Sequence, residues 1–211
     1  MEEDKIRKKF SMGSFLYEKF IDPFTVEIRN SIMEFIKEDS KVIDIACGTG
    51  ALVFELAKKS RYVMGFDLSE DSIAYNLFKK DKYNIDNVDF LQGDATKLSE
   101  LVGTRFDYAT ISLALHEHPV EKRDIIIREL GEIADKIIVA DFTSPKPKNF
   151  WSGLVSTVEF FSGKEHFTNQ LNFIKTGGIE QLLNKNGYTI EKQERKNSEV
   201  FNIIQATKNK L

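Results

Sequence analysis

The sequence contains a single cysteine, Cys47, among its 211 residues. One cysteine cannot form an internal disulfide, which agrees with a reducing compartment. The charged start, Met1 to Lys5, lacks the apolar core of a secretory signal. No apolar run approaches the roughly 20 residues that a membrane span requires. These absences predict a cytoplasmic protein without an integral membrane segment.

A surplus of charge of one sign is also missing. The chain has 30 basic and 33 acidic side chains, a formal net charge of −3, and no long block of either sign. A basic face that follows a phosphate backbone is therefore not expected, which argues against a nucleic-acid partner. No linker-like tract or internal repeat divides the chain, so its 211 residues predict one domain, 1–211.

From Lys41 onward, short β-branched runs alternate with helical patterns, which is typical of a mainly parallel sheet covered by helices on both faces. The predicted strands of this part are Lys41–Ala46, Tyr62–Phe66, Val88–Leu91, Phe106–Ser112 and Lys136–Asp141. The predicted helices are Ala51–Lys59, Ser69–Lys80 and Val120–Ile133. For the tail, the pattern predicts a helix from about Asn169 to Asn186 and a closing hairpin of Tyr188–Arg195 and Val200–Thr207.

Two segments fall outside this alternation. Residues 1–38 carry apolar side chains at a helical spacing that breaks near Pro23, and we expect two helices that cover the domain. Residues 142–168 are rich in aromatic side chains but too irregular for another strand and helix. We expect them to form an insert over the ligand-binding edge of the sheet.

The most informative segment is Val42–Gly50, which places Asp44 inside a strand and small residues directly after it. Open α/β sheets bind ligands at the carboxyl ends of their strands, where small residues let the backbone approach the ligand. Asp67 and Asp94 end the next two strands. Asp67 can accept both hydroxyls of a ribose, and Asp94 can accept a hydrogen bond from an adenine amino group. Each carboxylate alone fits a helix cap equally well, but together they indicate a nucleoside ligand.

The same loop argues against a dinucleotide. A pyrophosphate-binding loop reads Gly-x-Gly-x-x-Gly, and Val53 holds the place of the third glycine. Asp44 would also repel two phosphates, whereas it suits a ligand with an ammonium group, such as the methionine part of S-adenosylmethionine. A nucleotide-dependent oxidoreductase is therefore the weaker alternative.

Four segments carry a family resemblance. Val42–Gly50, Gly65–Asp67, Gly93–Ala95 and Phe106–Ser112 resemble, in order and spacing, the motifs of class I S-adenosylmethionine-dependent methyltransferases. Within that class the chain is similar to the ubiquinone/menaquinone biosynthesis C-methyltransferases and the small-molecule enzymes around them, for instance in Ala46 where most relatives have glycine.

The resemblance implies a fold, a cofactor and a substrate class. The fold is a Rossmann-like, doubly wound, mainly parallel seven-stranded sheet with an antiparallel C-terminal strand and covering N-terminal helices. The cofactor is S-adenosyl-L-methionine, and the partner is a small methyl acceptor of aromatic or apolar character. A non-catalytic protein that binds S-adenosylmethionine is the alternative. The implied donor contacts are Asp44, Ala46, Gly48, Gly50, Asp67, Leu68, Asp94, Ala95 and Ser112.

The acceptor side is expected after the fourth strand, where His116, Glu117 and His118 stand in place of the Arg-Asn pair that the quinone enzymes usually carry. This difference argues against a quinone acceptor. An imidazole can serve as a base or orient a polar acceptor, although bonding to the backbone is an equally weighted alternative. We favour His116 as the catalytic residue, because in the relatives this position faces the acceptor pocket. The other expected acceptor contacts are Tyr17, His118 and Phe142.

No metal site is expected. The His-Glu-His triplet has the right ligand types, but no spaced cysteines or acidic cluster accompany it. His166 in the insert is the residue that would complete such a site. Cys47 is interpreted as a small packed residue rather than a nucleophile.

Overall fold

In the computed structural model, which describes residues 25–147 and 164–209, the apolar runs after Lys41 form the strands of a single sheet. The strands are β1 Lys41–Ile45, β2 Tyr62–Asp67, β3 Val88–Gln92, β4 Phe106–Ser112, β5 Ala134–Phe142, β6 Tyr188–Lys196 and β7 Phe201–Lys208. The α-helices are α1 at 25–35, α2 Ala51–Leu56, α3 Glu70–Lys82, α4 Leu98–Leu101, α5 Val120–Ile133, α6 Lys164–Lys175 and α7 Gly178–Lys185. Two 3-10 turns are Ala95–Lys97 and Leu115–Glu117.

The strand order is β3-β2-β1-β4-β5-β7-β6. Strands β1 to β5 pair in parallel, and β7 pairs antiparallel with both β5 and β6. The predicted seven-stranded, mainly parallel sheet with an antiparallel C-terminal strand is therefore confirmed. The chain moves outward from β1 to β3 and then returns to β4 on the other side of β1. Such a reversal leaves a crevice at the carboxyl ends of β1 and β4, where ligands bind in open α/β sheets.

The sheet is buried on both faces at its centre. Val42 and Ile43 of β1 and Ala109 of β4 have no exposed surface, as expected when helices cover a parallel sheet on both sides. Helix α1 packs onto this core through Ile28 and Ile32, which lie four residues apart on one helical face. The described part of the N-terminal segment thus covers the sheet as the spacing predicts, and residues 1–24 lie outside the described residues.

Several predicted boundaries are wrong. The helix predicted over Asn169–Asn186 is two helices, α6 and α7, because Gly177 and Gly178 adopt positive φ angles of 95° and 62° that end one helix before the next begins. Helix α6 begins at Lys164, so the last five residues of the predicted insert, 164–168, are helical. Residues 148–163 of that insert lie outside the described residues.

Smaller shifts occur at three other elements. Helix α2 stops at Leu56, three residues before the predicted end, and strand β5 begins at Ala134, two residues early. The short helix α4 is absent from the prediction because its four residues are too few to show a period. Among the described residues, no helix is long and apolar enough to cross a membrane.

Candidate functional site

A cavity of about 690 Å³ opens at the carboxyl ends of the central strands. This volume lies within the roughly 300–1,000 Å³ of small-molecule sites. Its walls come from the loops after β1 to β4, from α1 and from the start of α5. Eight of the nine residues predicted to contact the donor line it: Asp44, Ala46, Gly48, Asp67, Leu68, Asp94, Ala95 and Ser112.

The loop after β1 turns sharply so that its backbone faces the cavity. Ala46 and Gly48 have φ angles of 57° and 51°, in the left-handed region that costs a residue with a Cβ atom about 1–2 kcal/mol. The Cys47 amide donates to the Phe66 carbonyl at 3.1 Å, and the Gly50 amide donates to the Cys47 carbonyl at 2.9 Å. Ala46 therefore occupies a backbone position that glycine would adopt at lower cost, which explains why glycine is usual there.

Gly50, the ninth predicted contact, does not line the cavity. A Cβ atom at Gly50 would lie 2.6 Å from Oδ1 of Asn76, and its φ is 73°. Asn76 in turn donates to the Gly48 carbonyl at 2.8 Å. Gly50 thus allows the close packing of α3 beneath the loop, and its contact with the donor stays a prediction.

Asp67 lies at the end of β2 and supports the loop through backbone amides. Its Oδ2 accepts from the Gly48 amide and its Oδ1 accepts from the Ser69 amide, both at 2.8 Å. A carboxylate oxygen has two lone pairs, so each oxygen can accept one further hydrogen bond from a ligand in the cavity. The side chain is fixed in place before any ligand arrives.

Asp94 follows β3 and caps the 3-10 turn Ala95–Lys97. Its Oδ1 accepts from the amide of Thr96 at 2.9 Å and from the Thr96 hydroxyl at 2.8 Å. These two hydrogen bonds lower the pKa of Asp94 below its usual value. The residue is thus both the turn cap and an ionised side chain on the cavity wall.

Asp44 is the most perturbed carboxyl group of the site. It is 2% exposed, and its Oδ1 accepts from the Thr110 hydroxyl of β4 at 2.6 Å. Burial, aided by the nearby charge of Asp67, raises its pKa to about 7, although the Thr110 hydrogen bond acts in the opposite direction. A buried carboxyl group that titrates near neutrality can be held ionised by a cationic ligand group.

His116 is not on the cavity wall. Its ring is 3% exposed, Nδ1 lies 2.7 Å from Oδ1 of Asp141, and its backbone amide donates to Oδ2 of Asp141 at 3.1 Å. The ring also packs edge-on against Phe142, with centroids 4.7 Å apart. Phe142 does not line the cavity either: it is 3% exposed and packs at a tilt against Phe201. The structure therefore does not support these two residues as direct acceptor contacts in this cavity.

His118 lines the cavity together with Glu117 and Lys122. Burial lowers the pKa of His118, and the positive charges of Lys122 and Arg123 lower it further. A neutral imidazole can accept a proton or a hydrogen bond. Of the two histidines, His118 is therefore the one on the cavity wall. Tyr17 lies outside the described residues.

Sequence reasoning missed the wall that α1 contributes. Thr25, Ile28 and Arg29 line the cavity, and Arg29 is paired with Glu55 of α2 at 3.2 Å. Their spacing of three and four residues places them on one face of the helix, and this pattern was the sequence signal for the contact.

Cys47 also lines the cavity, but burial and the charges of Asp44 and Asp67 raise the pKa of its thiol, as expected for a packed rather than a reactive residue.

These features define a Rossmann-like α/β protein with a small-molecule cavity whose polar groups come from consecutive strand ends. The sequence model of one family, described as a methyltransferase domain, matches residues 36–211. The chain belongs to this methyltransferase domain family, which confirms the resemblance found in its motifs.

Individual relatives agree with this assignment. The chain is 31% identical over 127 residues to demethylmenaquinone methyltransferase from Staphylococcus carnosus, covering 56% of this chain and about half, 52%, of that relative. It is 28% identical over 151 residues to a probable cobalt-precorrin-6B C(15)-methyltransferase from Methanococcus maripaludis, covering 71% of this chain and 77% of the relative. In fold it is similar to magnesium protoporphyrin IX methyltransferase from Synechocystis with bound SAH, with a TM-score of 0.68 at 19% identity over 98% of this chain and 100% of that one.

Proposed function

We propose that this protein transfers the methyl group of S-adenosylmethionine to a small molecule. The observation that carries the proposal is the convergence of Asp44, Asp67 and Asp94, from three consecutive strand ends, on one cavity beside the loop after β1. Each carboxylate matches a different polar part of the donor. Family membership supports the same assignment.

Asp67 binds the ribose in this proposal. Its two oxygens are already fixed by the Gly48 and Ser69 amides, so two ribose hydroxyls meet a carboxylate that needs no reorganisation. Hydrogen bonds to a charged acceptor contribute about 1.5–3 kcal/mol. Asp94, at the neighbouring strand end, accepts from the adenine amino group.

Asp44 faces the methionine part of the donor. The donor's ammonium group would lie beside the buried carboxyl group of Asp44, and a nearby cation favours the ionised form of such a group. Binding is then expected to lower the pKa of Asp44 from its value of about 7. The exposed backbone of the Ala46–Gly48 turn lets this part of the donor approach closely.

Methyl transfer from a sulfonium mainly requires that the protein align the acceptor with the methyl group. A lone pair of the acceptor forms a bond to the methyl carbon while the bond from that carbon to the sulfonium breaks, which leaves S-adenosylhomocysteine. The protein must hold both partners in line and exclude water. His118, Glu117 and Lys122 are the polar groups on the acceptor side of the cavity, and neutral His118 is our candidate for orienting or deprotonating the acceptor.

The acceptor is proposed to be a small molecule with an apolar body and one polar group. The acceptor side of the wall includes Leu113, Ala114 and Ile126 beside the polar residues. The relatives named for demethylmenaquinone and cobalt-precorrin-6B support a ring compound as the substrate class.

Calorimetric titration tests the donor site. S-adenosylhomocysteine should bind the purified protein and raise its melting temperature, whereas NADH should do neither. NADH binding without S-adenosylhomocysteine binding would instead support an oxidoreductase.

Methyl transfer is tested separately, with methyl-labelled S-adenosylmethionine and a small-molecule cell extract analysed by mass spectrometry. A labelled small molecule is expected. Donor binding without any labelled product would support the non-catalytic alternative.

A further inference from the structure

We propose that His116, Glu117 and His166 bind a divalent transition-metal ion beside the methyl-donor cavity. One ligand atom of each of these three side chains lies within 4.8 Å of the others. Two of the residues come from the turn after β4 and the third from the first part of α6, so the grouping is produced by tertiary packing.

The ligand atoms need to approach one another by little more than about 1 Å to bind an ion. Zinc–nitrogen bonds are 2.0–2.1 Å long, so ligand atoms in a tetrahedral site are about 3.4 Å apart. Glu117 is exposed and His166 half-buried, whereas His116 is buried, so the adjustment falls on the two more accessible side chains. The His116 and His166 rings already lie with centroids 5.3 Å apart.

Asp141 supplies the carboxylate that metal-binding histidines usually hydrogen-bond through the ring nitrogen that does not bind the metal. The 2.7 Å contact between Nδ1 of His116 and Oδ1 of Asp141 places the imidazole proton on Nδ1 when it is donated to the carboxylate. The ring lone pair is then on Nε2, which is the atom that would bind the ion. Such carboxylate–histidine pairs fix the tautomer and increase the basicity of the ligand.

The turn after β4 and helix α6, which carry the ligands, are held together by the buried guanidinium group of Arg123. Arg123, 2% exposed, donates to the Leu115 carbonyl of the turn at 3.0 Å and to the Asn169 carbonyl of α6 at 2.6 Å. The Asn169 amide donates to the Glu117 carbonyl at 2.8 Å. These bonds set the distance between the turn and α6, so the site rests on a rigid frame.

The ligand types select the metal. Two imidazoles and one carboxylate suit zinc, iron(II) or cobalt(II), whereas magnesium and calcium prefer oxygen ligands. Glu117 also lines the cavity, so it is the ligand through which a bound ion would border the cavity. We therefore infer that the ion takes an oxygen or sulfur anion of the methyl acceptor, a role that rests on the proposed function.

Cobalt(II) titration of protein purified without a histidine tag and dialysed against chelator tests the site. The visible spectrum should develop the bands of bound cobalt at one ion per chain, and zinc should displace it. Acetohydroxamate, a simple oxyanion ligand, should then shift those bands if a coordination position faces the cavity.

Four variants locate the site. We expect Glu117→Gln and His166→Ala to weaken cobalt binding more than a hundredfold. Asp141→Asn should weaken it about 10–100-fold, the usual effect of losing the hydrogen-bonding partner of a metal ligand. His118→Ala is the matched control, since it removes an imidazole two residues from His116 and should change affinity less than threefold. Circular dichroism of each variant confirms that it is folded.

Three results would overturn the site: wild-type protein that binds neither cobalt nor zinc, normal binding in both Glu117→Gln and His166→Ala, or an equal loss in His118→Ala. An unchanged spectrum with acetohydroxamate would overturn the acceptor role. S-adenosylhomocysteine titrations on the same samples separate this proposal from the proposed function. Donor binding without metal binding refutes the metal site alone, and metal binding without donor binding refutes the methyl-donor proposal alone.

Discussion

The two ends of the cavity differ in how their polar groups are positioned. At the proposed donor end, Asp44, Asp67 and Asp94 lie in or directly after parallel strands, and each one lines the cavity. Beside the proposed acceptor end, His116, Glu117 and His118 belong to a single 3-10 turn and its boundary, and each has a different environment. His116 is buried, Glu117 is exposed, and His118 is half-buried on the cavity wall.

Backbone geometry explains the difference. Parallel strands deliver the residues at their carboxyl ends to one edge of the sheet, so position along the chain predicts location in the site. A 3-10 turn has about three residues per turn, so neighbouring side chains point about 120° apart. A shift of one or two residues then decides between the core and the cavity. Three measurements test this contrast.

The largest effect is expected in the acceptor turn. His116→Ala removes the partner of the buried Asp141 carboxylate and the packing against Phe142, and should lower the free energy of unfolding by about 3 kcal/mol. His118→Ala, at the half-buried position, should lower it by less than about 1 kcal/mol. Urea unfolding of metal-free protein measures both. Equal losses would show that the two histidines do not differ in environment.

The second effect concerns the donor end. Asp67→Ala removes the proposed ribose acceptor and the anchor of the Gly48 and Ser69 amides. We expect the dissociation constant of S-adenosylhomocysteine to rise about a hundredfold, by calorimetry, since two charge-assisted hydrogen bonds are lost. Asp81→Ala, an exposed carboxylate on α3 that does not line the cavity, should bind normally. Unchanged affinity in Asp67→Ala would remove this residue from the donor site.

The smallest effect is a pH dependence of donor affinity. Burial raises the pKa of Asp44 to about 7, and the donor's ammonium group favours the ionised carboxylate. Below pH 7, binding must release a proton from Asp44, so affinity should fall about tenfold for each pH unit. Above pH 7 the carboxylate is already ionised and affinity should level off.

Titrations of S-adenosylhomocysteine between pH 5.5 and 8.5 measure this slope. Asp44→Asn has no group to titrate at this position, so its profile should be flat and its affinity low. A flat profile in the wild-type protein would place the ammonium group away from Asp44.

Much of the fold was predictable from the chain. The central strands read as apolar runs because both faces of a parallel sheet are buried, and β1 and β4 were placed to within a residue or two. The break between α6 and α7 was missed because the apolar residues keep a helical spacing across Gly177 and Gly178. The positive φ angles of these two glycines, which end α6, are not visible in the sequence. The packing of Asn76 against Gly50 was not predictable either, since nothing in the sequence indicates that contact.

The polar residues at the strand ends, and the family that they indicate, could be predicted from the sequence alone. Those features depend on neighbours in the chain and on the constant direction of parallel strands. Which histidine reaches the cavity depends on tertiary packing, and the same packing places His166 of α6 next to His116 and Glu117. Contacts between residues some 50 positions apart, held here by the buried Arg123, leave no periodic trace in the sequence.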